Sequence, residues 1–147
     1  MTGRAVPDGE TVHASVVAFA GRGVLILGAS GTGKSELAAR LIGRGAGLVA
    51  DDRVRLVRRG DALVASAPAR IAGLIEARGI GLLRLPAVPE AVLVLAVDLD
   101  REPAARMPHP AAFAHRGVSV ELISGRGIPN LDLLLTIVVQ TGRASPD

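Results

Sequence analysis

Gly28-Ala29-Ser30-Gly31-Thr32-Gly33-Lys34-Ser35 is a full G-x-x-x-x-G-K-S pattern, and its residue types and spacing suit one class of ligand, the phosphates of a nucleotide. Glycines let successive backbone N–H groups converge on phosphate oxygens. A helix opening directly after the loop adds the positive end of its dipole. Lys34 can reach the β- and γ-phosphates and the Ser35 hydroxyl can ligate Mg²⁺, so the pattern implies ATP and Mg²⁺. Lys34 is also the single lysine among 17 Lys and Arg residues. Arginine serves wherever this chain needs a general positive charge. Inside a tight loop around phosphates a compact ammonium fits where a planar guanidinium fork would crowd. The bland alternative is a chance turn in a chain with 18 glycines, but residue frequencies put such a match at about 1 %, and the strand–loop–helix context lowers that further.

Asp51-Asp52 is the second constellation. It ends the apolar stretch Leu48-Val49-Ala50, at the edge where open α/β sheets collect their ligands. Adjacent residues of an extended strand point in opposite directions, so one carboxylate can face the phosphates as a base while the other serves a metal or the structure. His13, just ahead of the first strand, can meet the same edge, although a lone His is more often a surface or capping residue. His109 and His115 fall in a Pro- and Ala-rich stretch, where the bland reading prevails.

These residues need a frame, and the apolar pattern supplies one. Ser15–Ala20 reads as a strand, and Val24–Leu27, with no polar face, as a strand buried on both sides. After the loop, Ser35–Arg44 carries Leu37, Ala38, Leu41 and Ile42 at helical spacing, with Gly45 suited to its end. Val54–Val57 and Ala62–Ala65 read as a hairpin across Arg59-Gly60-Asp61. Ala91–Val97 and Val118–Ile123 are further strands, and Pro103–His115 is expected to be a mobile loop. Asn130 is expected to cap a helix over Leu131–Gln140 with Leu134, Leu135 and Val138 inward. The predicted fold is α/β or α+β, mainly sheet with few helices, in one domain spanning residues 1–147.

Composition narrows the function classes. With two Phe and no Trp or Tyr, base stacking is almost unavailable, which argues against a single-strand nucleic-acid binder. The pI near 10.9 reflects the lack of groups titrating between His and Arg; the formal charge is only +3 and does not imply nucleic acid. Absence of Cys removes thiol catalysis and thiolate zinc sites. No apolar run has the length of a membrane span and the start lacks a signal-type apolar segment, so a cytoplasmic protein is expected.

The segment GASGTGKSELAARLIGRGAGLVADDRV resembles the phosphate-loop segment of HPr kinase/phosphorylase, a bacterial enzyme that phosphorylates a serine of the phosphocarrier protein HPr. The shared features are Ser35-Glu36, Arg44-Gly45 and Ala50-Asp51-Asp52. The second family signature, Glu-x-Arg-Gly-x-Gly, is present as Glu76-Ala77-Arg78-Gly79-Ile80-Gly81, and His13 stands at the family's distance ahead of the loop. These markers span about residues 12–83. Weaker likenesses are Arg106-Met107-Pro108 and Gly125-Arg126.

The resemblance implies a fold like that of phosphoenolpyruvate carboxykinase and a protein-serine kinase using ATP and Mg²⁺, with HPr as partner and a phosphorolytic reverse reaction as a further activity. It implies Asp51 as the base, His13 as its support, Lys34 at the phosphates, Ser35 and Glu76 around Mg²⁺ with Asp52 a further metal candidate, and Arg106 facing the transferred phosphoryl group. A role for Arg78 in tying the signature loop to the catalytic edge, and a hexameric assembly, are implied as well. Ala14 and Ala46 depart from the family's usual Gly and His. The chain is also short for the family, as in a compact form carrying the catalytic core alone. Two other readings of the loop stand beside this one: a small-molecule P-loop kinase, and a nucleotide-sensing module without catalysis.

Overall fold

The computed structural model describes residues 11–142. At its centre lies β3 (Arg22–Leu27), whose Val24, Leu25 and Ile26 are fully buried because the sheet is covered on both faces. Ahead of it run β1 (Thr11–Val12) and β2 (Ser15–Phe19). The loop Gly28–Gly33 follows, then α1 (Lys34–Gly43), β4 (Gly47–Ala50) and the hairpin β5 (Val54–Arg59) and β6 (Ala62–Ser66). A 3-10 turn (Ala69–Ile71) leads to β7 (Leu74–Ala77), β8 (Gly81–Arg84), β9 (Ala91–Asp98), β10 (Ala111–His115), β11 (Val118–Ser124) and α2 (Leu131–Thr141).

Nine strands form one mixed sheet in the order β1-β5-β6-β9-β3-β2-β4, with β11 also on β9 and β10 beyond it. One edge of β9 pairs with β3, while the other is divided: Ala91 and Val92 take β6, and Leu95 to Asp98 take β11. The sheet therefore forks at β9. Because β2 is antiparallel to both β3 and β4, and β3 is parallel to β9, the carboxyl ends of β3, β4 and β9 meet at one edge. The start of β2 lies at that edge too.

Strand alternation sorts the core onto two faces. Val17, Val24 and Ile26 pack under Leu37, Ala38 and Leu41 of α1 and Leu135 and Val139 of α2. Val16, Ala18 and Leu25 face the other way, against Val54, Leu56, Leu63, Ala65 and Val118. No described helix covers this second face, so the two arms of the fork close over it. Arg44, at the end of α1, donates to Asp132 in the first turn of α2 at 2.6 Å and joins the helices. This hydrogen bond holds the Asp132 carboxyl below the usual range, against the opposing effect of desolvation.

Three expectations need correction. Pro103–His115 is not all loop: Ala111–His115 is β10, paired in full with β11, because edge pairing satisfies its backbone groups despite the flanking prolines. In α2, Leu135 is buried and Val138 packs part-buried against the core as expected, but Leu134 is exposed, and Thr136 and Val139 complete the inward face instead. Asn130 stands at the cap position, but its side chain makes no capping bond; its backbone is left-handed at φ 57°, which Asn tolerates better than most residues. The hairpin β7–β8 was not foreseen from strand pattern, and β8 is exposed along its whole length.

Candidate active site

The phosphate-loop pattern lies where the topology collects ligands, beyond the carboxyl end of β3. Gly28 cannot be replaced simply: at φ +152° an added Cβ would stand 2.5 Å from Thr32 Oγ1. Thr32 in turn closes the loop by donating through both its N–H and its hydroxyl to the Ala29 carbonyl. Gly33 occupies the N-cap of α1 at φ 100° with no side-chain cap, leaving the helix's first N–H groups available to an anion. Lys34 is 7 % exposed, and its ammonium donates to the carbonyls of Gly28 at 2.9 Å and Ala29 at 3.2 Å. Its positive charge therefore sits over the loop.

The two aspartates beyond β4 part company. Asp51 is 7 % exposed and accepts four hydrogen bonds from three groups: Ser15 Oγ at 2.8 Å, Ser35 Oγ at 2.8 and 3.1 Å, and the Glu76 N–H at 3.3 Å. Asp52 turns outward through a left-handed backbone (φ 71°), and its side chain is 63 % exposed. His13 Nε2 lies 2.6 Å from Asp52 Oδ1, so the expectation that His13 supports Asp51 is corrected: its partner is Asp52. The two carboxylates do point apart, but through the left-handed turn at Asp52 and not through strand alternation, since β4 ends at Ala50.

Between the loop and this turn lies a cavity of about 220 Å³, lined by Ser30, Gly31, Gly33, Lys34, Ser35, Glu36, Asp52, Glu76 and Arg78. Glu76 comes from β7 and Arg78 from the turn before β8, so the exposed hairpin forms one wall. Gly28, Ala29 and Thr32 shape the loop from behind. Arg106 is exposed in the β9–β10 connection and is not among the lining residues, so the structure does not bring it to the cavity. Arg126, in the β11–α2 connection, donates its N–H to the Arg101 carbonyl, which ties it against the β9–β10 connection.

Hard oxygen donors, Ser35 with Asp51 behind it and Asp52 and Glu76 facing it, suit Mg²⁺. Among the described residues no three His, Cys, Asp or Glu side chains are grouped closely enough to hold a metal alone. A cation here would need phosphate oxygens to complete its shell, as Mg²⁺ in nucleotide sites does.

Two residues at the site escaped the sequence reading. Ser15 is fully buried between both aspartates, and its only signal was a hydroxyl opening an otherwise apolar strand. Asp100, just beyond β9, accepts the Ala29 N–H at 3.0 Å. Nothing local marked it, because it lies 71 residues from its partner.

Comparison with known proteins places this architecture. The model of the HPr Serine kinase C-terminal domain matches residues 5–89, more than half of the chain. The HPr kinase/phosphorylase of Cupriavidus necator is 48 % identical over 79 residues, 53 % of this chain and 24 % of that protein. That of Bordetella pertussis is 48 % identical over 82 residues, 55 % of this chain and 27 % of that protein. The chain thus spans about a quarter of the length of these relatives. The Hpr(Ser) kinase/phosphatase structure from Coxiella burnetii superimposes with a TM-score of 0.75 at 31 % identity, covering 88 % of this chain and 93 % of that one. The chain belongs to the family of the HPr Serine kinase C-terminal domain.

Proposed function

We propose that this chain is an ATP- and Mg²⁺-dependent protein-serine kinase acting on HPr, with residues 1–147 working as one catalytic domain. The observation that carries the reading is the opposition across one small cavity of a phosphate loop, with Lys34 and Ser35, and an outward carboxylate, Asp52, braced by His13. The relatives' names supply the acceptor, HPr.

The geometry favours exchanging the roles first assigned to the two aspartates. Asp51 is buried and engaged by Ser35, which suits the metal side of the site. Asp52 is exposed at the cavity and free to meet an incoming hydroxyl, which suits the base. The loop N–H groups and Lys34 would hold the phosphates, while Ser35, backed by Asp51 and faced by Glu76, would hold Mg²⁺. Bound there, Mg²⁺ would neutralise charge on the β- and γ-phosphates. Asp52 accepts the serine proton as the serine oxygen bonds to the γ-phosphorus and the bond to the β-phosphate oxygen breaks, releasing ADP. His13 holds the Asp52 carboxylate in place. In the phosphorolytic direction, an oxygen of inorganic phosphate bonds to the phosphoserine phosphorus as the bond to the serine oxygen breaks, Asp52 passes the proton of that phosphate to the serine oxygen, and pyrophosphate leaves. Catalysis of this kind is mainly positioning and charge neutralisation. Arg78 on the cavity wall can face a phosphate; Arg106 would need the β9–β10 connection to move.

The reading includes a cytoplasmic location, where ATP and a phosphocarrier are met. No described helix is long and apolar enough to cross a membrane. It also includes self-assembly, for which the exposed Leu133, Leu134 and Ile137 of α2 offer apolar surface. Incubation with γ-labelled ATP, Mg²⁺ and HPr should label a serine of HPr. Label on a small metabolite instead would make the chain a small-molecule kinase, and ATP binding without transfer to any acceptor would make it a nucleotide sensor.

A further inference from the structure

Ser15 opens β2, where its neighbours Ala14 and Val16 are apolar and fully buried, and it is fully buried itself. A hydroxyl in such a place is costly unless it is bonded. Here it is bonded twice: it donates to Asp51 Oδ1 at 2.8 Å and accepts the Asp52 N–H at 3.2 Å. One oxygen thus touches the side chain of the first aspartate and the backbone of the second. The second contact falls where the chain needs it, because Asp52 is a non-glycine residue at φ 71°, a conformation that L residues hold only against a steric cost. Pinning the Asp52 N–H fixes the turn that sends its carboxylate out to His13, which lies two residues ahead of Ser15 on the same incoming segment.

We propose that Ser15 is a positioning residue for phosphoryl transfer, a buried hydroxyl that locks the metal-side carboxylate of Asp51 and the base-side turn of Asp52 into one arrangement. The proposal rests on the roles given to those aspartates above. Ser15 reaches neither nucleotide nor acceptor; it acts through the two residues that do. Loss of its hydroxyl leaves Asp51 held by Ser35 and the Glu76 N–H, so nucleotide and metal binding persist. The Asp52 N–H loses its partner, and the base loses its fixed direction.

The test is Ser15→Ala beside Ser15→Thr, which keeps the hydroxyl. Ser15→Ala should lower kcat for HPr phosphorylation by about tenfold or more, since small misplacements of a reacting group carry penalties of that size. KM for ATP should stay within about twofold, because the phosphate loop is untouched. Ser15→Thr should recover most of kcat. Exchange of the Asp52 amide proton should accelerate in Ser15→Ala and not in Ser15→Thr. Combining Ser15→Ala with His13→Ala should cost less than the product of the single losses, because both act on Asp52. Wild-type kcat in Ser15→Ala, or an unchanged Asp52 amide, overturns the proposal. So does an equal loss in both variants accompanied by an equal fall in Tm, which would mark a packing role. Should the wild-type chain fail to label HPr, the parent reading falls. Amide exchange and ATP binding would still report whether Ser15 holds the Asp52 turn.

Discussion

The family model matches residues 5–89, while the structural likeness covers more of the chain than that and so continues beyond them. The two regions share one sheet. The first holds Lys34, Ser35, Asp51, Asp52, Glu76 and Arg78, whose chemistry admits few substitutes. The second supplies β9, β11 and α2, whose Leu95, Val97, Leu135 and Val139 fill the core under the helices, and Asp100 bonds to the loop. A phosphate site constrains residue identity, whereas a packed face constrains volume and period and tolerates exchange among apolar residues. The family-model match therefore stops at residue 89 while the shared fold continues.

Substitutions can break that division. The largest effect is expected at Lys34→Arg, which keeps the charge but misfits the loop: initial transfer rates should fall on the order of 10³-fold, as when a preorganised charge is removed from a transition state. Retention of more than a tenth of the rate would mean that the loop recognises charge alone. Next comes the exchange of aspartate roles. Asp52→Asn should lose on the order of 10²- to 10³-fold in kcat with ATP binding intact. Asp51→Asn should chiefly raise the Mg²⁺ concentration needed for half-maximal rate. The opposite pattern would return the base to Asp51. In the second region, Leu135→Ala should reduce unfolding free energy in urea by about 3 kcal/mol, with ATP affinity unchanged below the transition. A loss of ATP affinity in the folded variant would show that α2 shapes the site.

The smallest effect joins the regions. The Arg44 hydrogen bond holds the Asp132 carboxyl below its unfolded value, so the pair's contribution is present above about pH 4 and fades as pH falls through the lowered folded value. With Arg44 part-exposed and solvent-screened, Asp132→Asn should cost only about 0.5–1 kcal/mol at neutral pH. The difference from wild type should vanish in acid. Equal differences at pH 7 and pH 3 would deny the pair any electrostatic share.

What the sequence determined by itself was local or strongly typed. The G-x-x-x-x-G-K-S pattern gave the loop, the unbroken apolar run gave the buried β3, and 3.6-residue spacing gave α1, because each depends on neighbours a few residues apart. The Glu76–Gly81 signature was found by resemblance alone, since no strand pattern marks an exposed hairpin. What only the tertiary structure decided was which atoms meet across long separations. His13 bonds to Asp52 across 39 residues, Ser15 bonds to Asp51 across 36, and Asp100 reaches the loop across 71. Arg106, placed at the phosphoryl group by resemblance, lies outside the cavity. Adjacent carboxylates look alike in a sequence. A left-handed turn at Asp52 and a buried hydroxyl at Ser15 make them different, and both arise only when β2 and β4 lie side by side.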